Sequence, residues 1–272
     1  MLKILHKRPW FITNNNSYRF TDTNVWESTQ KDFTFYIEFQ MDKINAGDTH
    51  CIFCRPGKHM GVFAKNRNMF TWDFWDVIDG ESNFNDISFY VGRENLYKRY
   101  VMIINHNSTD KRFSAKLICK DDYEGEAISD NRAYHDTKVF SNEVEYKGEL
   151  HDYTDTPFNF GIANYEHDLT DEHKAICQYT LWRAGLFDTL YTFQRIEDFL
   201  EINKDVKRNL IKPLENSIFL INTNELTKYK AYDNSGNCFN LEINIGLIKK
   251  IYDVEPWRTL DVNILGDEKT FI

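Results

Sequence analysis

The sequence predicts an all-β fold of antiparallel strands, arranged as a sandwich or a barrel, and three observations predict it. Phe33, Phe35, Ile37 and Phe39 alternate with Thr34, Tyr36, Glu38 and Gln40. Because successive side chains of a strand point to opposite faces, this run reads as a strand with one face in a core and the other in water. Short strand-like runs then recur along the chain with turn chemistry between them and no long helix to interrupt them. Finally, 21 Phe, 15 Tyr and 6 Trp make 15% of the residues aromatic, and flat rings pack well on pleated, half-buried surfaces.

In chain order, the runs after the first are His50–Phe53, Gly61–Ala64, Met69–Trp75, Ile87–Val91, Tyr100–Asn105 and Phe113–Ile118. Asn45-Ala46-Gly47-Asp48, Arg55-Pro56-Gly57, Asp79-Gly80 and Asn107-Ser108-Thr109-Asp110 punctuate them, the last as a hairpin turn. Residues 121–156 are polar and acidic and read as a long excursion over a sheet face. Strands resume at Phe158–Ala163 and Ala175–Trp182. Phe193, Ile196, Phe199 and Leu200 then recur at helical spacing, with Gln194, Arg195, Glu197 and Asp198 facing away, so one short amphipathic helix is expected late in the chain. Pro213 limits it, and strands follow at Ser217–Ile221 and Leu241–Ile245. With no internal repeat, 1–272 reads as a single domain, in which 210–272 either completes the sandwich or docks on a partner.

Composition narrows the function. A net charge of −9 and a pI near 5.4 argue against a nucleic-acid binder, which needs a basic face for phosphates, and against anionic membrane surfaces. The pairs Lys98-Arg99 and Lys207-Arg208 are too short to change that. No apolar run approaches the ~20 residues of a membrane span. Lys3, His6, Lys7 and Arg8 break up the N-terminal MLKILHKRPWFI, so no export signal is expected. Five cysteines, an odd number, fit a reducing interior better than a disulfide scaffold, which implies synthesis in a cytoplasm. Abundant Asn, Lys, Ile, Phe and Tyr suit AT-rich coding sequences such as those of many phages, and virion proteins reach the outside by lysis.

The order of segments SYRF, FTFYIEFQMD, HCIFCRPG, RYVMIINHN, RFSAKLI, FNFGIAN and CQYTLWRAGLFDTLYTFQRIEDFL resembles the laminin-G-like and concanavalin A-like lectin superfamily, over about Ser17 to Leu200. In that superfamily a strand entering through a glycine is followed by a short helix. Asp233-Asn234-Ser235-Gly236-Asn237 looks like the D-x-S-G-N turn of bacterial relatives, although there it lies near the domain start and here it lies beyond the helix. The resemblance implies an antiparallel two-sheet jelly-roll sandwich that binds glycans through loops or a concave face.

Glycan sites combine an aromatic ring, which stacks on the sugar, with carboxylates or amides, which bond its hydroxyls. Thr71-Trp72-Asp73-Phe74-Trp75-Asp76 has both. With period 2, Trp72, Phe74 and Asp76 share one face and Asp73 and Trp75 the other. The competing reading packs the indoles between sheets. Asn164, Tyr165, Glu166, His167 and Asp168 form a second candidate, on the loop that would follow a family-like FGIAN strand, or else a solvated turn. Trp182 is the third aromatic candidate.

Asp233, Asn234, Ser235 and Asn237 are hard oxygen donors of the kind Ca²⁺ prefers, and an ordinary tight turn uses the same residues. Cys51 and Cys54, three apart on a strand, should point to opposite faces as packing residues. The E-x-D-x-E triplet by which superfamily glycosidases project their acids is missing. Glu143-Val144-Glu145 and Glu38 through Asp42 come nearest. No nucleophile elbow, phosphate loop or zinc spacing appears. The expectation is a non-enzymatic carbohydrate-binding or surface-recognition module, as in a virion adhesin, with a glycan or neighbouring subunits as partner and an oligomer as a possible state. A structural or assembly protein is the alternative, and a glycoside hydrolase or lyase the third reading.

Overall fold

A computed structural model describes residues 11–12, 17–20, 30–44, 49–55, 60–66, 68–121, 139–151, 159–161, 177–204, 211–222, 230–231, 233–237, 239 and 241–243. In chain order the strands are β1 (Phe11–Ile12), β2 (Ser17–Phe20), β3 (Phe33–Ile44), β4 (Thr49–Arg55), β5 (Met60–Lys65), β6 (Met69–Ile78), β7 (Glu81–Tyr90) and β8 (Arg99–Asn107). They continue with β9 (Arg112–Cys119), β10 (Val139–Glu145), β11 (Glu149–Leu150), β12 (Asn159–Gly161), β13 (Cys177–Phe187), β14 (Ser217–Asn222), β15 (Lys230–Ala231) and β16 (Leu241–Ile243). Among the described residues one helix, α1 (Phe193–Ile202), precedes β14. Every paired strand among the described residues is antiparallel, in two sheets. The first sheet runs β1-β13-β3-β8-β9-β10 with β14 also on β13. The second runs β11-β6-β5-β4-β12-β2-β16-β15 with β7 on the other side of β6. This is the expected all-β sandwich with one short helix.

Aromatic rings join the inner faces. Phe35 of the first sheet stacks on Phe53 of the second, with centroids 4.5 Å apart and planes at 19°, and Phe39 meets Phe70 edge-on at 5.0 Å. Phe74 and Phe113 approach to 4.3 Å. Their register follows from the turns. Asp79 and Gly80 both take positive φ, 52° and 85°, the two-residue hairpin geometry whose twist matches the flanking strands. In the turn after β8, Asn107 Oδ1 accepts from the Asp110 N–H at 2.9 Å.

Three expectations need correction. The outer face of β3 is not in water: Thr34, Tyr36 and Glu38 are buried along with the Phe side. α1 covers it, setting Ile196, Phe199 and Leu200 against Tyr36, Val101, Ile103, Phe187 and Leu220. The Thr192 hydroxyl caps the start of the helix, accepting from the Arg195 N–H. Asn203, not Pro213, ends it, with its side-chain amide on the Phe199 carbonyl at 3.0 Å. Second, Cys51 and Cys54 lie together with Phe63 on one face. A bulge between Cys51 and Phe53 turns both Ile52 and Phe53 into the core and so resets the alternation. Third, the acidic stretch 121–156 contains β10 and β11, which add to β9 and β6. Half-exposed edge strands carry few apolar residues, and for that reason this part lacks a hydrophobic pattern.

A second bulge sits between Leu181 and Arg183 on β13. With Trp182 as its extra residue, Arg183 turns from the core side to the outer face and pairs with Glu38 across the strands. Arg183 Nε donates to Glu38 Oε2 at 2.6 Å, and its Nη1 donates to the Leu200 carbonyl at 2.7 Å, in the last turn of α1. Arg99 pairs with the other Glu38 oxygen. One fully buried carboxylate thus ties β3, β13, β8 and the helix end together. Next to it Gly185 leaves room for the Tyr36 ring, since a Cβ there would lie 2.4 Å from Tyr36 Cε1.

Removing one partner of a buried ion pair leaves the others uncompensated. Glu38→Ala is therefore expected to cost about 3–5 kcal/mol in denaturant unfolding. A loss no larger than that of an exposed control such as Glu143→Ala would refute this role.

Candidate functional site

α1 covers the middle of the first sheet's outer face, and on the second sheet polar and aromatic side chains gather on the outer face of β6 and β7. Along β6 the outward residues are Thr71, Asp73, Trp75 and Val77. The register of β7 sets Ser88, Asp86, Phe84 and Ser82 directly opposite them. β5 adds Phe63 and Lys65 to the same face, since Phe63 pairs with Thr71 and Gly61 with Asp73. Phe63, Thr71, Asp73 and Ser88 are buried, so the accessible part of this row is Lys65, Trp75, Val77, Ser82, Phe84 and Asp86.

Phe84 is 46% exposed. Half-buried Trp75 meets it edge-on with centroids 5.4 Å apart, and Lys65 Nζ lies 5.0 Å from the Phe84 ring centroid, close enough for a cation–π contact. The Lys65 ammonium also holds the Asp73 carboxylate, 2.6 Å from Oδ2 and 2.8 Å from Oδ1. Burial lifts the Asp73 carboxyl to about 6, Lys65 offsetting part of that rise and the neighbouring Asp86 adding to it. The Ser88 hydroxyl donates to Asp86. At the far end of the row, Ser82 Oγ and His151 Nε2 are 2.9 Å apart. Exposed apolar ring surface therefore lies between hydroxyl, imidazole and carboxylate groups, the combination that a sugar ring and its hydroxyls require.

The structure divides the residues singled out from sequence. Asp73 and Trp75 share this outer face. Trp72 is fully buried, between Phe35 and Phe113, where no ligand reaches it. Asp76 is buried as well, and its carboxylate accepts from Asn85 Nδ2 and from the Lys147 and Gly148 N–H groups, which bolts β6 to the segment before β11. Trp182 lies on the other sheet, with the Arg99 guanidinium 4.0 Å from its ring centroid. Asn164, Tyr165, Glu166, His167 and Asp168 lie outside the described residues.

The residues read as either calcium donors or a tight turn form a clasp on β14. Asp233 Oδ1 accepts from the Leu220 and Ser235 N–H groups, both at 2.8 Å, and Oδ2 accepts from Ser235 Oγ and the Phe239 N–H. Asn234 Nδ2 donates to the Leu220 carbonyl and Asn237 Nδ2 to those of Ser217 and Ile218. All four lone-pair positions of the Asp233 carboxylate are thereby occupied, which leaves a tight turn rather than a cation cage. Among the described residues no three His, Cys, Asp or Glu groups converge as metal ligands. Glu143 and Glu145 are exposed and ion-paired with Arg112.

No protein-family model matches the sequence, and neither does any curated protein. Solved structures do share its fold. A candidate carbohydrate-binding protein from Bacteroides ovatus has a TM-score of 0.51 at 10% identity, over 86% of this chain and 57% of that one. What the two share is the fold, an antiparallel β-sandwich. The chain thus spans little more than half of that relative. Two further structures are less similar. One is the CBM40 of Ruminococcus gnavus IT-sialidase bound to α2,3-sialyllactose, with a TM-score of 0.41 at 8% identity, covering 69% of this chain and 96% of that one. The other is the binding domain of botulinum neurotoxin serotype C1, at 0.44 and 12%, covering 80% and 54%. No helix among the described residues is long and apolar enough to cross a membrane.

Lys65, Ser82, Phe84, Asp86 and His151 were not singled out from sequence. For most of them a signal was present: Ser82, Phe84, Asp86 and Ser88 alternate in ESNFNDISFY, and extending the strand expected at Ile87 back to the Asp79-Gly80 turn exposes that row.

Two outcomes are expected. A carboxyl whose folded pKa is about 6, against 3.8 unperturbed, makes its full contribution to stability below about pH 3.8 and loses it as pH rises through about 6. Compared with Asp73→Asn by denaturant unfolding, the parent chain should therefore lose on the order of 3 kcal/mol between pH 4 and pH 7. A gap that stays constant with pH would contradict this. For the clasp, Asp233→Ala should lower stability by about 1–3 kcal/mol, whereas calcium or a chelator should leave the melting temperature of the parent unchanged.

Proposed function

We propose that the chain is a non-enzymatic carbohydrate-recognition module of concanavalin A-like jelly-roll type, binding glycan on the outer face of its nine-stranded sheet. The observation that carries this reading is the exposed Phe84 ring, backed edge-on by Trp75 and set beside Asp86 and the Lys65–Asp73 pair. Ring faces take the C–H side of a pyranose, and carboxylate and hydroxyl groups take its hydroxyls. The fold shared with the Bacteroides ovatus protein supports the same reading. Asp73 and Asp86 face each other across neighbouring strands, but Asp73 is buried and committed to Lys65. They are therefore not the two accessible acids, one on each side of a bond, that glycoside hydrolysis needs.

Display in many copies, as on a virion or another extracellular assembly, would raise the low affinity of one shallow site through avidity. The assembly reading draws less support. The exposed large hydrophobic residues described, Phe84, Tyr97, Leu190 and Ile202, lie on four different segments.

Screened on a glycan microarray, the parent chain should bind a defined set of glycans, and Phe84→Ala should bind the same set about tenfold more weakly with its fold intact by circular dichroism. Undiminished binding by that variant, or a parent chain that binds no glycan, would refute the proposal.

A further inference from the structure

The cation that lies over the Phe84 ring is already paired, and so is one beside β11. Lys65 is held by Asp73, and Lys111 Nζ lies 2.8 Å from Glu149 Oε1, on the residue that pairs with Val77. Asp86 remains as the uncompensated charge at the shelf, its hydrogen-bond partner being the neutral Ser88. A carboxylate-bearing sugar placed on Phe84 and Trp75 would meet that like charge, and to gain a cation it would have to displace Asp73 from Lys65. Hydroxyls of an uncharged sugar instead find acceptors in the Asp86 carboxylate and in the exposed Ser82 hydroxyl, which His151 positions.

The row is also long. From Ser82 through Phe84 to Asp86, side chains on the same face of β7 span about 13 Å at the usual strand rise, more than one pyranose ring. Polar groups lie at both ends and the exposed ring in the middle. A single ring seated on Phe84 would leave one of these ends unused.

Resting on the carbohydrate-recognition reading, we infer that the shelf takes an uncharged oligosaccharide of two or more rings lying along β7, and that it discriminates against sialic and uronic acids. Phe84 and Trp75 supply the stacking surface, Asp86 accepts hydroxyls of one ring, and Ser82 with His151 engages the next.

Isothermal titration calorimetry on the full chain tests this with neutral gluco-, galacto- and manno-oligosaccharides of one to four residues, and with the same chains ending in a sialic or a uronic acid. The neutral tetrasaccharide that binds should do so about tenfold more tightly than its monosaccharide, and the acidic counterpart about tenfold more weakly than the neutral chain. Asp86→Asn should narrow the gap between acidic and neutral chains. Acidic chains that bind as tightly as neutral ones, or affinity independent of chain length, would overturn the inference while leaving glycan recognition standing. Binding of neither class would overturn both.

Discussion

A central strand buried on both faces is the constraint on which the rest of this structure depends. Toward the inside, β3 sets Phe33, Phe35, Ile37 and Phe39 against the opposite sheet. Toward the outside it buries Thr34, Tyr36 and Glu38. An outward face of that kind must be covered, and α1 covers it with Ile196, Phe199 and Leu200. On the second sheet the outward side chains Cys51, Cys54, Phe63, Thr71 and Asp73 are buried too, and accessible side chains gather at the β7 margin around Phe84 and Asp86.

Burying polar groups on this scale is tolerable because the bulges deliver partners to them. The bulge at Trp182 turns Arg183 outward to Glu38 and the end of the helix. At the bulge in β4, the Ile52 carbonyl accepts from the Tyr179 hydroxyl of the opposite sheet at 2.6 Å, a hydrogen bond that spans the sandwich. His106 is partnered without a bulge. Its Nδ1–H donates to the Lys31 carbonyl at 2.7 Å, its Nε2 accepts from the Tyr146 hydroxyl at 2.8 Å, and burial keeps the ring neutral by lowering its pKa. Irregularities in the ladders thus supply what a fully regular sandwich would lack.

At the candidate site the electrostatics follow burial. Asp73 lies deep enough that even an ion pair with Lys65 leaves its carboxyl easier to protonate than usual. That pair uses up the cation on the face and holds a firm base beneath the rings. Phe84 and Asp86, on the outermost paired strand, keep the accessible chemistry. This margin is the surface that the proposed sugar recognition would use.

From residue order alone came the strand alternation, the turns at Asp79-Gly80 and Asn107-Ser108-Thr109-Asp110, the amphipathic helix, and the presence of Asp73 and Trp75 on one face. All of these are local, because period and turn geometry are properties of neighbouring residues. Tertiary structure decided the rest. A bulge, which inverts every side chain beyond it, sets whether Cys51 and Cys54 share a face and which way Arg183 points. Cross-strand register brought Phe84 and Asp86 to Trp75 and Asp73. Burial removed Trp72 and Asp76 from the site, and backbone donors from distant strands filled the Asp233 oxygens. Each of these outcomes depends on contacts between residues far apart in the chain, which no local pattern encodes.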